Sequence, residues 1–91
     1  MQLRRIIITK RTVTIELASG LEARPIAMLV QLASSYESKI YVQSDSRKVN
    51  AKSIMGMMTL ELPVGEQVIV MAEGEDEEKA VSDIEKYLSN N

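Results

Sequence analysis

Ninety-one residues with a net charge of −2, no cysteine and no histidine define one small domain and exclude disulfides, thiolate chemistry and a zinc site built on Cys or His. Apolar residues make up 45% of the chain without a single Phe or Trp, so the core must be assembled from Ile, Val, Leu, Met and Ala. No stretch approaches the roughly 20 apolar residues of a membrane span, and Ile6-Ile7-Ile8 is too short for a signal-peptide apolar region. The expected location is the cytoplasm, with no membrane partner.

The charge is unevenly placed. Residues 1–52 carry nine basic and four acidic side chains, and residues 53–91 carry two basic and nine acidic ones, so the two parts have opposite net charges of +5 and −7. Such a gradient steers charged partners or serves only to solvate a strand edge and match a helix dipole. The basic residues are scattered and accompanied by only three Tyr, which argues against direct nucleic-acid binding.

In chain order, residues 12–17 alternate polar and apolar and predict a half-buried strand, extended toward the N-terminus by residues 6–8. Ser19-Gly20 breaks it. Pro25 suits the first turn of a helix, where a missing N–H costs nothing. That helix is expected to run to about Tyr36, with Ala27, Val30 and Ala33 beside Met28 and Leu32 as its apolar face. Residues 39–43 and 47–51 read as two short strands joined by a tight Asp45-Ser46 turn. Residues 53–58 read as a short helix, and Pro63 and Gly65 mark a loop. Residues 67–72 form a buried fourth strand, closed by Glu73-Gly74. Glu75 to Glu78 open a last helix with dipole-complementing carboxylates, and Ala80, Val81, Ile84, Tyr87 and Leu88 form its buried face. The order β-α-β-β-α-β-α predicts an α+β open-faced sandwich, a four-stranded, mostly antiparallel sheet with three helices on one face. Residues 1–91 form a single domain. A strand-end hinge as short as Ser19-Gly20 also leaves strand exchange into a homodimer open.

Two segments stand out chemically. Ser19-Gly20-Leu21-Glu22-Ala23-Arg24-Pro25 is a strand-to-helix turn whose first backbone N–H groups attract an anion, with Arg24 adding a fixed positive charge. Glu22 there acts as a helix cap or dipole partner. In Val49-Asn50-Ala51-Lys52-Ser53-Ile54-Met55-Gly56-Met57-Met58, Ser53 precedes a short apolar helix and is a natural N-cap. A helix this short cannot bury four large residues. Ile54 and Met57 are expected to turn inward, leaving Met55 and Met58 as an adaptable apolar patch.

Together these two motifs, at this separation, resemble the functional segments of the HPr family of bacterial phosphotransfer proteins, over roughly residues 10–90. Residues 1–10, with Arg4 and Arg5, are longer than the usual start of that family. The resemblance implies an HPr-like fold. It also makes Glu22 the occupant of the position where the family carries its phosphorylated histidine, while Arg24 and Pro25 are retained. Imidazole suits phosphoryl relay because it is nucleophilic near neutral pH, and a carboxylate is a poor substitute. The resemblance therefore implies no sugar-phosphotransfer role. It implies phosphorylation of Ser53 by the HPr kinase/phosphorylase, then binding to a LacI-type catabolite-control repressor through Ala23, Arg24, Ile26, Lys52, Ile54, Met55 and Met58. A histidine-less, serine-retaining member fits a regulatory protein of carbon catabolite repression. An alternative is an HPr-like domain that docks on a metabolic enzyme independently of phosphorylation. No base, nucleophile pair or metal cluster suggests an enzyme, and no cofactor is expected.

Overall fold

A computed structural model describes residues 8–18, 20–60 and 62–89. The expected strand extension through Ile6 and Ile7, the Arg4 and Arg5 pair and the Ser19 half of the hinge lie outside them. The elements are β1 (Thr9–Thr14), α1 (Ala23–Ser34), β2 (Lys39–Ser44), β3 (Arg47–Asn50), α2 (Ile54–Met57), β4 (Gln67–Glu73) and α3 (Glu77–Ser89). The strands form one sheet in the order β1-β4-β2-β3, and all three pairings are antiparallel. Thr9 sits opposite Ala72 in β4, which in turn sits opposite Ile40 in β2.

Period-two alternation places Val13 and Ile15, Ile40 and Val42, and Val68, Val70 and Ala72 on one face of the sheet. They share a single core with Ile26, Leu29, Val30 and Ala33 of α1, Met57 of α2, and Ala80, Val81, Ile84 and Leu88 of α3. Helix α3 packs over β1 and β4, and α1 packs against α2 and α3. All three helices therefore cover the same face. No helix among the described residues is long and apolar enough to cross a membrane.

The apolar phase of α1 differs from expectation by one residue. Ile26, Leu29, Val30 and Ala33 are buried, while Ala27 and Met28 face outward and Leu32 is half-buried. The observed set follows i, i+3, i+4, i+7 without a gap, and the helix stops at Ser34 rather than Tyr36. β1 spans Thr9–Thr14, so Ile15 to Leu17 leave the ladder. Ile15 there donates its N–H to Glu66 O, and Glu16 donates to Leu88 O, at 2.8 Å each.

Two turns depend on backbone freedom. Gly20 has φ 75°, and a Cβ there would lie 2.7 Å from Leu62 O, a distance only a glycine tolerates. Asp45, in the β2–β3 turn, has φ 55°, a conformation that Asp accepts more readily than most residues.

Candidate functional site

The start of α1 is set by the turn before it. Leu21 N–H donates to Leu62 O at 2.8 Å, and the two residues form an isolated antiparallel bridge. Both are buried, so Glu22 is delivered to the surface immediately after an anchored residue. Glu22 occupies the N-cap with extended backbone, φ −105° and ψ −172°, and its side chain makes no capping bond. Its carbonyl accepts from Ile26 N–H at 2.8 Å. The expected capping function thus falls to the backbone alone, and the carboxylate is exposed. Ala23 and Arg24 beside it are exposed too. Pro25 lies within the first turn, where it takes no donor from the helix ladder. Its carbonyl accepts from the Tyr87 hydroxyl at 3.0 Å, fastening this end of α1 to α3. Burial pushes the Tyr87 hydroxyl above its ordinary pKa.

Ser53 caps α2 as expected: its Oγ accepts from Gly56 N–H at 3.1 Å. It remains partly exposed. The inward side of this single turn is Gly56 and Met57. A Cβ on Gly56 would lie 3.6 Å from Val49 Cβ, and Met57 is fully buried. Ile54, expected inward, is 47% exposed instead and shares the surface with Met55 and Met58, because Met57 takes the buried side of this single turn. The outward face is therefore Ile54, Met55 and Met58, one residue larger than the sequence suggests.

An open cleft of about 460 Å³ joins the two segments, lined by Leu21, Glu22, Ala23 and Ile26 on one side and Met58, Leu60, Leu62 and Pro63 on the other. Ile26, expected on the docking surface, belongs to the core at 3% exposure and contributes only to the floor of the cleft. The wall made by Leu60, Leu62 and Pro63 carries little signature in the sequence, because Leu62 pairs through one bridge rather than within a strand. The alternation of Leu60 and Leu62 before Pro63 was the available signal. Met28, expected on the apolar face of α1, is 54% exposed instead.

Lys52 is already engaged. Its Nζ donates to Tyr36 O at 2.7 Å, at the end of α1. The Tyr36 hydroxyl donates to Asp83 Oδ2 in α3, and Lys79 lies 3.4 Å from the same carboxylate. Desolvation, and then the bond to anionic Asp83, push the Tyr36 hydroxyl up to about 12, while that bond and Lys79 hold Asp83 below the usual carboxylate value. Asp76 is likewise held low, chiefly by the Ser38 hydroxyl and by the Glu37 N–H that donates to it at 2.9 Å. No group of three or more metal-ligating side chains occurs among the described residues.

The chain matches the family model described as the PTS HPr component phosphorylation site over residues 9–90. It is 42% identical over 79 residues to the HPr-like protein Crh of Bacillus subtilis strain 168, covering 87% of this chain and 93% of that protein. The crystal structure of the phosphocarrier protein HPr from Bacillus anthracis superposes with a TM-score of 0.87 at 37% identity, covering 89% of this chain and 96% of that one. A crystal structure of Bacillus subtilis Crh, described as a domain-swapped dimer, superposes at 0.75, also at 37% identity, covering 100% and 97%. Identity to the carrier structure and to the Crh structure is the same, so only particular positions can separate the two readings.

Proposed function

The chain belongs to the HPr family, and we propose that within it the chain serves carbon catabolite repression as a regulatory protein and does not carry phosphoryl groups to sugars. The observation that carries this reading is the contrast between its two segments. Glu22, an exposed carboxylate whose side chain makes no capping hydrogen bond, is read by resemblance as the occupant of the family's phosphorylated-histidine position, and the chain contains no histidine. Ser53 keeps a partly exposed hydroxyl beside an outward apolar face.

Phosphorylation of Ser53 by the HPr kinase/phosphorylase would place nearly two negative charges beside α2. The phosphorylated chain then acts as corepressor for a LacI-type catabolite-control repressor. Phosphoserine meets basic groups of the repressor through charge-assisted hydrogen bonds, Arg24 meets an acidic one, and Ile54, Met55 and Met58 supply apolar contact. Ala23 borders the same surface across the cleft. An acyl phosphate on Glu22 would form against charge repulsion and hydrolyse rapidly, so Enzyme I with phosphoenolpyruvate is expected not to label the chain. The test is paired: HPr kinase with ATP should phosphorylate Ser53 and create repressor binding, and Enzyme I should leave the chain unlabelled. Absence of phosphate on Ser53, or stoichiometric labelling by Enzyme I, sinks the proposal.

A second reading has its own support. The apolar face is formed while Ser53 is unmodified, with Met55 83% exposed, which suits a docking domain that regulates a metabolic enzyme without phosphorylation. Complex formation insensitive to Ser53→Ala would favour it. The swapped dimer of the similar Crh also makes a homodimer by exchange of β1 part of the proposed behaviour of this chain.

A further inference from the structure

Six of the 91 residues are methionine, and solvent separates the described ones into two groups. Met55 is 83% exposed, Met28 54% and Met58 50%, whereas Met57 is 0% and Met71 6% exposed. The exposed group lies on α1 and around α2: Met58 walls the cleft with Glu22 and Ala23, Met55 is three residues before it, and Met28 is one helical turn beyond Arg24. The two buried methionines sit in the same small domain as built-in controls.

A thioether is the apolar side chain that a peroxide converts directly into a polar one. The sulfur lone pair attacks one peroxide oxygen, the O–O bond breaks and an S–O bond forms. Sulfur is oxidised by two electrons, the peroxide is reduced, and its second oxygen leaves as water by taking up the proton that the sulfur-bound oxygen releases. The product is a chiral, polar sulfoxide that disrupts Met-rich interfaces and is reversed by sulfoxide reductases. This chain has no cysteine, so the thiol that would ordinarily intercept a peroxide is missing, and the exposed methionines become its foremost targets.

We propose that Met55 and Met58 form a peroxide-sensitive modification site that switches the apolar face beside Ser53 out of its docking state without unfolding the domain. The docking consequence rests on the function proposed above; the selectivity of the chemistry does not.

The experiment exposes the full chain to hydrogen peroxide, maps oxidation by proteolysis and mass spectrometry, and follows secondary structure by circular dichroism. Met55 and Met58, with Met28, should gain oxygen while Met57 and Met71 stay unmodified and the spectrum is unchanged. Retention on a hydrophobic-interaction column should fall, and methionine sulfoxide reductase should restore it. Oxidation of Met57 in step with Met55, or unchanged retention of the oxidised chain, overturns the site. In a second arm, the Ser53-phosphorylated chain is titrated with the catabolite repressor before and after peroxide. A loss of about tenfold in affinity, about 1.4 kcal/mol, is expected. The double variant Met55→Leu/Met58→Leu, judged against its own affinity before peroxide, should lose none. Equal affinity of the reduced and oxidised chains overturns the switch. If the reduced, phosphorylated chain fails to bind at all, the proposed function falls, and the selectivity and retention measurements still decide the modification site.

Discussion

The Nζ of Lys52 donates to the carbonyl of Tyr36 at 2.7 Å, so the residue next to Ser53 closes the C-terminal end of α1. A cation there complements the helix dipole and satisfies a carbonyl beyond the last turn. Because the Tyr36 hydroxyl is bonded to Asp83, a single tyrosine connects the Ser53 segment to α3. Replacing Lys52 by Met should cost about 1–2 kcal/mol, the worth of a charge-assisted bond in a partly buried place, read as a shift in the urea midpoint. An unchanged midpoint would mean the bond carries no net stability.

Ser53 has two separable roles. Ser53→Ala removes the acceptor for Gly56 N–H and should cost about 1 kcal/mol, while Ser53→Thr should retain most of it. Both effects are checked by chemical denaturation of the unphosphorylated chain. If the Ala variant is as stable as the parent, the hydroxyl is not a working cap.

Gly20→Ala should be among the costlier single changes. The left-handed φ of 75° is strained for any other residue, and the new Cβ would press on Leu62 O at 2.7 Å. A loss of about 1–3 kcal/mol is expected, together with a shifted amide resonance at Leu21, whose bond to Leu62 sets the exit of Glu22. Preservation of that resonance would show that the turn can relax elsewhere.

Stability should fall at both ends of the pH scale for opposite reasons. Tyr36 has a folded-state pKa raised from 10.0 to about 12. Its contribution is fully present below pH 10.0 and is lost as pH rises toward 12, because the folded state then holds the proton more tightly. Asp76 and Asp83 are lowered from 3.8, so their contributions are present above that value and are lost as pH falls through the depressed folded values. Urea midpoints measured against pH should show both slopes. Tyr36→Phe should flatten the alkaline one and Asp76→Asn should weaken the acidic one; an unaltered profile in either variant refutes its assignment.

Among the described residues, two side-chain hydrogen bonds tie the first strand to α3. Thr9 Oγ1 donates to Glu77 Oε2 at 2.7 Å, and Arg11 Nη1 meets Glu85 Oε1 at 2.6 Å. Glu77 is only 6% exposed, so Thr9→Val leaves a buried carboxylate short of a donor and should cost about 1–3 kcal/mol. The Arg11–Glu85 pair is more exposed, and Arg11→Ala should cost at most about 1 kcal/mol, less at high salt. If β1 is the element exchanged in a homodimer, the same Thr9–Glu77 contact forms between the two chains. Thr9→Val should then weaken the closed and swapped forms alike and leave the dimer fraction seen by light scattering unchanged; a changed fraction would mean that β1 is not the exchanged element.

By itself the sequence determined the element order, the strand faces, the buried side of α3, the Ser53 cap and the exclusion of histidine and thiol chemistry. These follow from residue identity and from periodicity within one element, which are local properties. Only the tertiary structure decided which apolar residues near the site are hidden. Ile26 and Ile54 both lie near the N-terminal end of their helices, yet one is core and the other surface. The difference comes from α3 and the sheet covering one side of α1, and from Met57 taking the buried side of α2. The same holds for Leu60, Leu62 and Pro63, brought beside Glu22 by the Leu21–Leu62 bridge, and for Lys52, whose partner lies 16 residues away. Hydrophobicity states that a side chain gains by leaving water; which neighbour removes it from water is fixed only when distant segments pack.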